Sequence, residues 1–449
     1  MKKKMISMLL CTGLIASMLS GCGAKTEQEM GTPTSGPSQS EVTTDAVVAT
    51  SDDKTDKVEE ANQELSGTIS ILSWYDETKA QGLLEGFNAK YPNITIDFQY
   101  SPPVQDYVEK LSTLLYSAAG PDIFYMCMEN REDLIKGNYC EDLSNESYIK
   151  DGTIPASAIE AYGANGIPYA MGVDCWAGGI FYNKELFAQA GIDTFPTTWD
   201  GLLEACKKLE ETGIVPIMDN LQDAATNITA ALYGSEVKKA DPKVVEKIYA
   251  GERTFEETWT GPVTTWKQLI DLGYIDKNYL GSTTDDIVTA FATGQTAMIV
   301  TGSWNVSTIQ SINPDIQFEC MPIPGESDAY YCGCINVAPC INAASNNKEL
   351  AKAFLTYCAS PEGLELQYKG YGGFTIAEGY TPDLPEQIAD AVQGVKEERY
   401  YIPMGEWKQY TESLRLTYIQ SLQDCMAGTI EPVEVGKRLD AKLAEVSKK

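Results

Sequence analysis

Aromatic residues beside carboxylates and amides recur along the chain. Trp74 and Tyr75 are adjacent, Asp174 lies two residues before Trp176, and Trp304 follows a β-branched run. The polar pairs Glu129-Asn130 and Asp219-Asn220, and the segment Tyr371-Gly372-Gly373-Phe374, fall between apolar stretches. Flat rings supply apolar faces, while carboxylates and amides make hydrogen bonds in their own plane. Together they suit a solute with C–H faces and hydroxyl edges, which is the chemistry of a sugar. Covalent chemistry has little to work with. The chain contains no histidine, so no Ser-His or Cys-His nucleophile can be assembled and the commonest metal ligand is missing. No Gly-x-Ser-x-Gly elbow, phosphate loop or metal motif is present, and no cofactor is expected. A glycoside hydrolase needs only two carboxylates, so 64 acidic residues leave that alternative open.

These residues need elements that bring them to one crevice. Residues 68–72 read as a strand, 79–90 as a helix with Leu83, Leu84 and Phe87 at 3/4 spacing, and Ile94, Ile96 and Phe98 as an alternating strand. Residues 104–117 read as a helix, and 122–126 as a third strand after the Gly120-Pro121 break. This β-α-β-α-β order favours a parallel, doubly wound sheet, which binds ligands beyond the carboxyl ends of its strands. Trp74, Tyr75, Glu129 and Asn130 are candidates on that ground. The competing readings are edge-of-core packing for the rings and a solvated helix start for the polar pair. A second α/β run has strands at 179–182, 214–218 and 296–300, the last two delivering Asp219-Asn220 and Trp304. Gly373 and its neighbour Gly372 either let backbone approach a ligand or make a turn. Trp407 is expected to open a helix over 407–426. Trp199, Trp259 and Trp266 look helical and are assigned to core or surface.

The formal charge of −30 disfavours nucleic acid and anionic lipid as partners. Of the five arginines only Arg131 falls near a proposed crevice loop, so a neutral ligand fits better than an anionic one. A cation such as a polyamine stays open, because aromatics with carboxylates also make cation cages. Lys2, Lys3 and Lys4 precede an apolar run that ends in Leu19-Ser20-Gly21-Cys22. The run has the dimensions of an export signal, and its end resembles the lipobox of bacterial lipoproteins. That resemblance makes residues 1–21 a signal peptide and Cys22 the lipidated first residue of a chain held on the extracellular face of the membrane. Three lysines and no acids go with residues 1–21, so −30 becomes −33. Residues 22–66 are rich in Ser, Thr, Gly, Pro and charge, without an aromatic, and read as a disordered tether. As a coil, the tether reaches roughly 35–40 Å. Ten further cysteines sit mostly in apolar runs and are read as small buried hydrophobes. Cys332, Cys334 and Cys340 match no zinc spacing. If 330–337 is a strand, Cys332 and Cys334 share one face.

Several segments resemble the extracellular solute-binding proteins of ABC sugar importers. They are Phe181-Tyr182-Asn183-Lys184-Glu185-Leu186-Phe187 with Pro196-Thr197-Thr198-Trp199, and Ala290-Phe291-Ala292-Thr293-Gly294-Gln295-Thr296-Ala297-Met298 leading to Gly302-Ser303-Trp304. The stretches from Ile341 to Leu355 and from Pro361 to Glu365 are similar to the maltose-binding branch of the family. The resemblance implies an α/β, two-lobed periplasmic-binding-protein-like fold (type II), each lobe a sheet flanked by helices and joined by a hinge. It implies a first lobe over 67–171 and 326–373, and a second over 172–325 and 374–449. A hinge crossing near 166–174 brings in Asp174 and Trp176. Trp304 then matches a position that often stacks on sugar, and Trp407 lies near one that sometimes does. The implied protein is a monomer that takes no part in catalysis. It closes on an oligosaccharide and presents it to permease subunits. A receptor for a polyamine or peptide is the alternative.

Overall fold

The computed structural model describes residues 64–102, 104–222 and 227–448. The signal peptide, Cys22 and nearly all of the tether lie outside them.

Two sheets organise the chain. In the first, β1 (Gly67–Ser73) runs parallel to β2 (Ile94–Tyr100) and to β3 (Ile123–Met126). Helices Glu77–Lys90 and Val104–Tyr116 make the crossovers. The expected parallel unit is present, each strand within two residues of its anticipated bounds. The second sheet is built on β4 (Asp174–Asn183), ten residues buried along their whole length. Around it lie β5 (Val215–Met218), β6 (Thr296–Gly302), β7 (Phe318–Met321) and β8 (Cys332–Ile335). β6, β7 and β8 pair with β4 antiparallel, and β5 runs parallel to β6. The chain then returns to the first sheet as β9 (Ala338–Ile341), antiparallel to β3, and comes back as β10 (Phe374–Thr375) against β4.

Period-2 alternation sorts β4 between two cores. Cys175, Ala177 and Phe181 join a core that includes the first sheet, while Trp176, Ile180 and Tyr182 face a second core containing Trp259, Trp266, Trp407 and Tyr418. Cys332 and Cys334 share that second core, on one face as their spacing required. All ten cysteines among the described residues are buried free thiols. Among the same residues there is no cluster of three or more potential metal ligands, and no helix long and apolar enough to cross a membrane.

The strand pairing moves one lobe boundary. The resemblance places residues 326–335 in the first lobe, yet β8 pairs with β4 and belongs to the second sheet, so the crossing is Asn336-Val337. Alternation marks a strand but not its partner, so the pattern could not locate this crossing.

All three crossings meet at Asp174. Its Oδ2 accepts from the Tyr75 hydroxyl at 2.6 Å and from Asn336 Nδ2 at 3.0 Å, and its backbone carbonyl accepts from Asn336 N at 2.8 Å. The Tyr75 ring stacks on Tyr371 at 3.7 Å and 6°. A Cβ on Gly373 would overlap Asp174 Oδ1, so only glycine lets the third crossing pass. Desolvation pushes the Asp174 carboxyl up to about 6, with the hydrogen bonds from Tyr75 and Asn336 opposing it. A folded-state pKa above the unfolded value gives stability that is complete below about 4 and is lost as pH rises through about 6. The shift is equivalent to about 3 kcal/mol. Over that window, chemical denaturation of the wild type should lose about that much more stability than Asp174→Asn. Parallel profiles for the two proteins would contradict the assignment.

Candidate functional site

Between the sheets lies a cavity of about 580 Å³, within the range of small-molecule sites. Its first wall is made where the parallel strands end: Trp74 and Tyr75 follow β1, Tyr100 closes β2, and Met128 and Glu129 follow β3. The opposite wall comes from Trp176 in β4, Trp304 after β6, and Ile402, Met404 and Arg415 near the C-terminus. Tyr371 and Asn336 line the floor.

The rings are held, not loosely draped. Trp74 is half-buried and meets Tyr107 edge-on at 5.4 Å, and the Tyr107 hydroxyl is fixed by the Tyr125 carbonyl at 2.9 Å. Trp304 lies in the short helical turn Ser303–Asn305 and meets Trp176 at 5.3 Å and 76°. Its indole folds back over Gly302, where a Cβ would overlap the six-membered ring. Asn305 Nδ2 donates to Thr301 Oγ1 at 2.8 Å and ties the turn to the strand end.

The charges in the cavity are answered. Arg415 donates to Glu412 through two bonds of 2.7 Å, and its Nε lies 3.9 Å from Glu129 Oε1. Burial raises the Glu129 carboxyl above the usual range, and Arg415 draws it partly back. Asp76 and Lys79 add one charge of each sign at the rim.

Of the residues expected from sequence, the structure brings Trp74, Tyr75, Glu129, Trp176, Trp304 and Tyr371 to this cavity. Asp174 and Gly373 lie behind the floor, supporting it. Asp219 and Asn220 line a small side pocket that shares Trp304 and Thr284 with the main cavity. Asn220 Nδ2 is occupied by the Ser282 carbonyl at 3.1 Å. Asn130 does not line the cavity; it is buried with its Oδ1 accepting from Cys127 N at 2.8 Å, shaping the loop that presents Glu129.

Two expectations are corrected. Trp407 is wholly buried in the second core against Phe255, Trp259 and Tyr418. The helix starts at Thr411, after Tyr410 in a left-handed conformation, so Trp407 precedes it and points into the core. The cleft arginine is Arg415, not Arg131, which is buried and donates to the Ala161 carbonyl at 2.9 Å. Tyr100 was also missed, although it ends a parallel strand and the strand-end rule points to it. Nothing in the sequence singles out Arg415.

The family model described as bacterial extracellular solute-binding protein matches residues 73–365. The multiple sugar-binding protein of Streptococcus mutans is 20% identical over 340 residues, which is 72% of this chain and 78% of its own. A family 1 extracellular solute-binding protein from Bifidobacterium longum subsp. infantis superposes with a TM-score of 0.71 at 28% identity, covering 85% of this chain and 99% of that one. RafE in complex with raffinose gives 0.68 at 22% identity, covering 84% and 99%, and the apo form of RafE from Streptococcus pneumoniae gives the same score, covering 84% and 97%. The two-lobed α/β architecture is common to this chain and the two solved structures.

The overlap at Gly302 yields a direct test. Gly302→Ala should displace the Trp304 indole, visible as altered tryptophan bands in near-ultraviolet circular dichroism, and should cost about 1–3 kcal/mol through overpacking. Unchanged bands would mean the indole does not rest on Gly302.

Proposed function

The chain belongs to the bacterial extracellular solute-binding protein family, and on that premise we propose that it captures a neutral sugar, an oligosaccharide, and delivers it to the permease subunits of an ABC importer. The observation that carries this reading is the pairing of aromatic rings from both lobes with polar side chains whose charges are already balanced. Trp74 and Tyr100 on one wall, and Trp176 and Trp304 on the other, offer rings to pyranose C–H faces. Glu129, Gln222 and Asn336 offer in-plane partners for hydroxyls. Arg415 is met by Glu412 and Glu129, so an anionic ligand would have to displace carboxylates to reach it. The names of relatives point the same way: one binds multiple sugars and another is solved with raffinose.

The mechanism is hinge closure about the three crossings, with residues 67–171 and 336–373 moving against 174–335 and 374–449. Ligand favours closure to the extent that it binds the closed form better than the open one. The protein binds without cleaving, as a monomer. Cys22 carries lipid and residues 22–66 tether the binding body to the outer face of the membrane, a reading supported by Leu19-Ser20-Gly21-Cys22.

Calorimetry of the mature protein against raffinose, maltotriose, chitotriose and spermidine tests the ligand class. Binding to a saccharide with no product on chromatography is the expected result; binding only to spermidine, or bond cleavage, would replace this reading. Trp304→Ala should weaken saccharide affinity about tenfold or more, equivalent to about 1.4 kcal/mol, while the protein still unfolds in one cooperative transition. Cys22→Ser should move the protein from the membrane fraction to the medium, and retention at the membrane would count against the anchor.

A further inference from the structure

The lobes also touch beside the cavity. The loop after β3 and the helix Arg131–Lys136, on the first lobe, face residues 403–415 on the second. Glu132 Oε2 accepts from Tyr410 N at 2.8 Å, and Glu160 lies 3.7 Å from Lys408 Nζ. One turn further on, Arg415 lies 3.9 Å from Glu129.

The Glu132 contact has a specific meaning for the helix Thr411–Met426. The amide of a helix-capping residue is commonly met by a glutamate three residues into the same helix. Here that position is Ser413, and the capping residue Tyr410 supplies no side-chain cap. Tyr410 also sits at φ 56°, a conformation that non-glycine residues adopt at a cost. Glu132 thus takes the part of the missing glutamate from the other lobe, and its negative charge lies at the positive end of the helix dipole.

We propose that Glu132 is an inter-lobe cap: closing the cleft completes the N-terminus of the helix that carries Arg415, so the closed form is stabilised by contacts the ligand does not make. Glu132 acts as a positioning residue, setting affinity through the closed population and the placement of Arg415 while lying outside the cavity lining. This rests on reading the cleft as a ligand site closed by a hinge, and it adds the residue that tunes the closure.

Small-angle scattering of the mature protein without added solute tests the cap directly. Glu132→Ala should show a larger radius of gyration than wild type, Glu132→Gln, which keeps an acceptor oxygen, should fall near wild type, and Lys136→Ala, which removes only the surface partner of Glu132, should match wild type. In calorimetry with the saccharide that wild type binds, Glu132→Ala should weaken affinity about three- to tenfold. An unchanged radius for Glu132→Ala overturns the proposal, as does an unchanged affinity in an expanded protein. If wild type binds no saccharide, the sugar reading falls by itself, and the scattering comparison still decides the cap.

Discussion

A carboxylate taken out of water must be met by donors, and Asp174 meets its donors at the one place where the chain passes between lobes three times. The Tyr75 hydroxyl comes from the loop after β1, Asn336 from the second crossing, and Gly373 passes against the carboxylate at the third. The charge is costly to bury, as its raised pKa shows, and the cost is offset only while those donors stay in place. Much of the cavity floor follows from this. Tyr75 is held by Asp174, Tyr371 stacks on Tyr75 and approaches the Tyr125 hydroxyl at 3.4 Å, and Asn336 faces both the carboxylate and the cavity.

The seven tryptophans divide by the company they keep. Trp199, Trp259, Trp266 and Trp407 are buried among apolar side chains of the second lobe, where their area stabilises the fold. Trp74, Trp176 and Trp304 are held at the cleft by a tyrosine edge, by a neighbouring indole, or by a glycine that leaves room for the ring. Rings fixed in this way lose little further rotamer freedom when a ligand arrives, so more of the contact energy appears as affinity.

The charged groups show a parallel economy. The chain is strongly acidic as a whole, yet Arg415 in the cleft has carboxylates on two sides, Glu412 from its own helix and Glu129 from across the cavity. Neutrality there is a local arrangement within an acidic protein. It is also why net charge said something about macromolecular partners and almost nothing about the ligand site.

Local pattern determined a good deal. Hydrophobic periodicity and glycine-proline punctuation placed β1, β2, β3 and the helices between them, because these signals come from neighbours in sequence. The rule that ligands sit beyond parallel strand ends put forward Trp74, Tyr75 and Glu129, which line the cavity, and it extends to Tyr100. The resemblance to a family supplied the two-lobed architecture and put Asp174, Trp176 and Trp304 forward as candidates. Tertiary structure alone decided which sheet β8 joins, that Trp407 turns inward, that Arg415 and not Arg131 reaches the cleft, and that Glu132 caps a helix of the opposite lobe. Each of those outcomes depends on which surfaces meet across long separations in sequence, and period-2 or period-3.6 spacing carries no information about the partner on the other side.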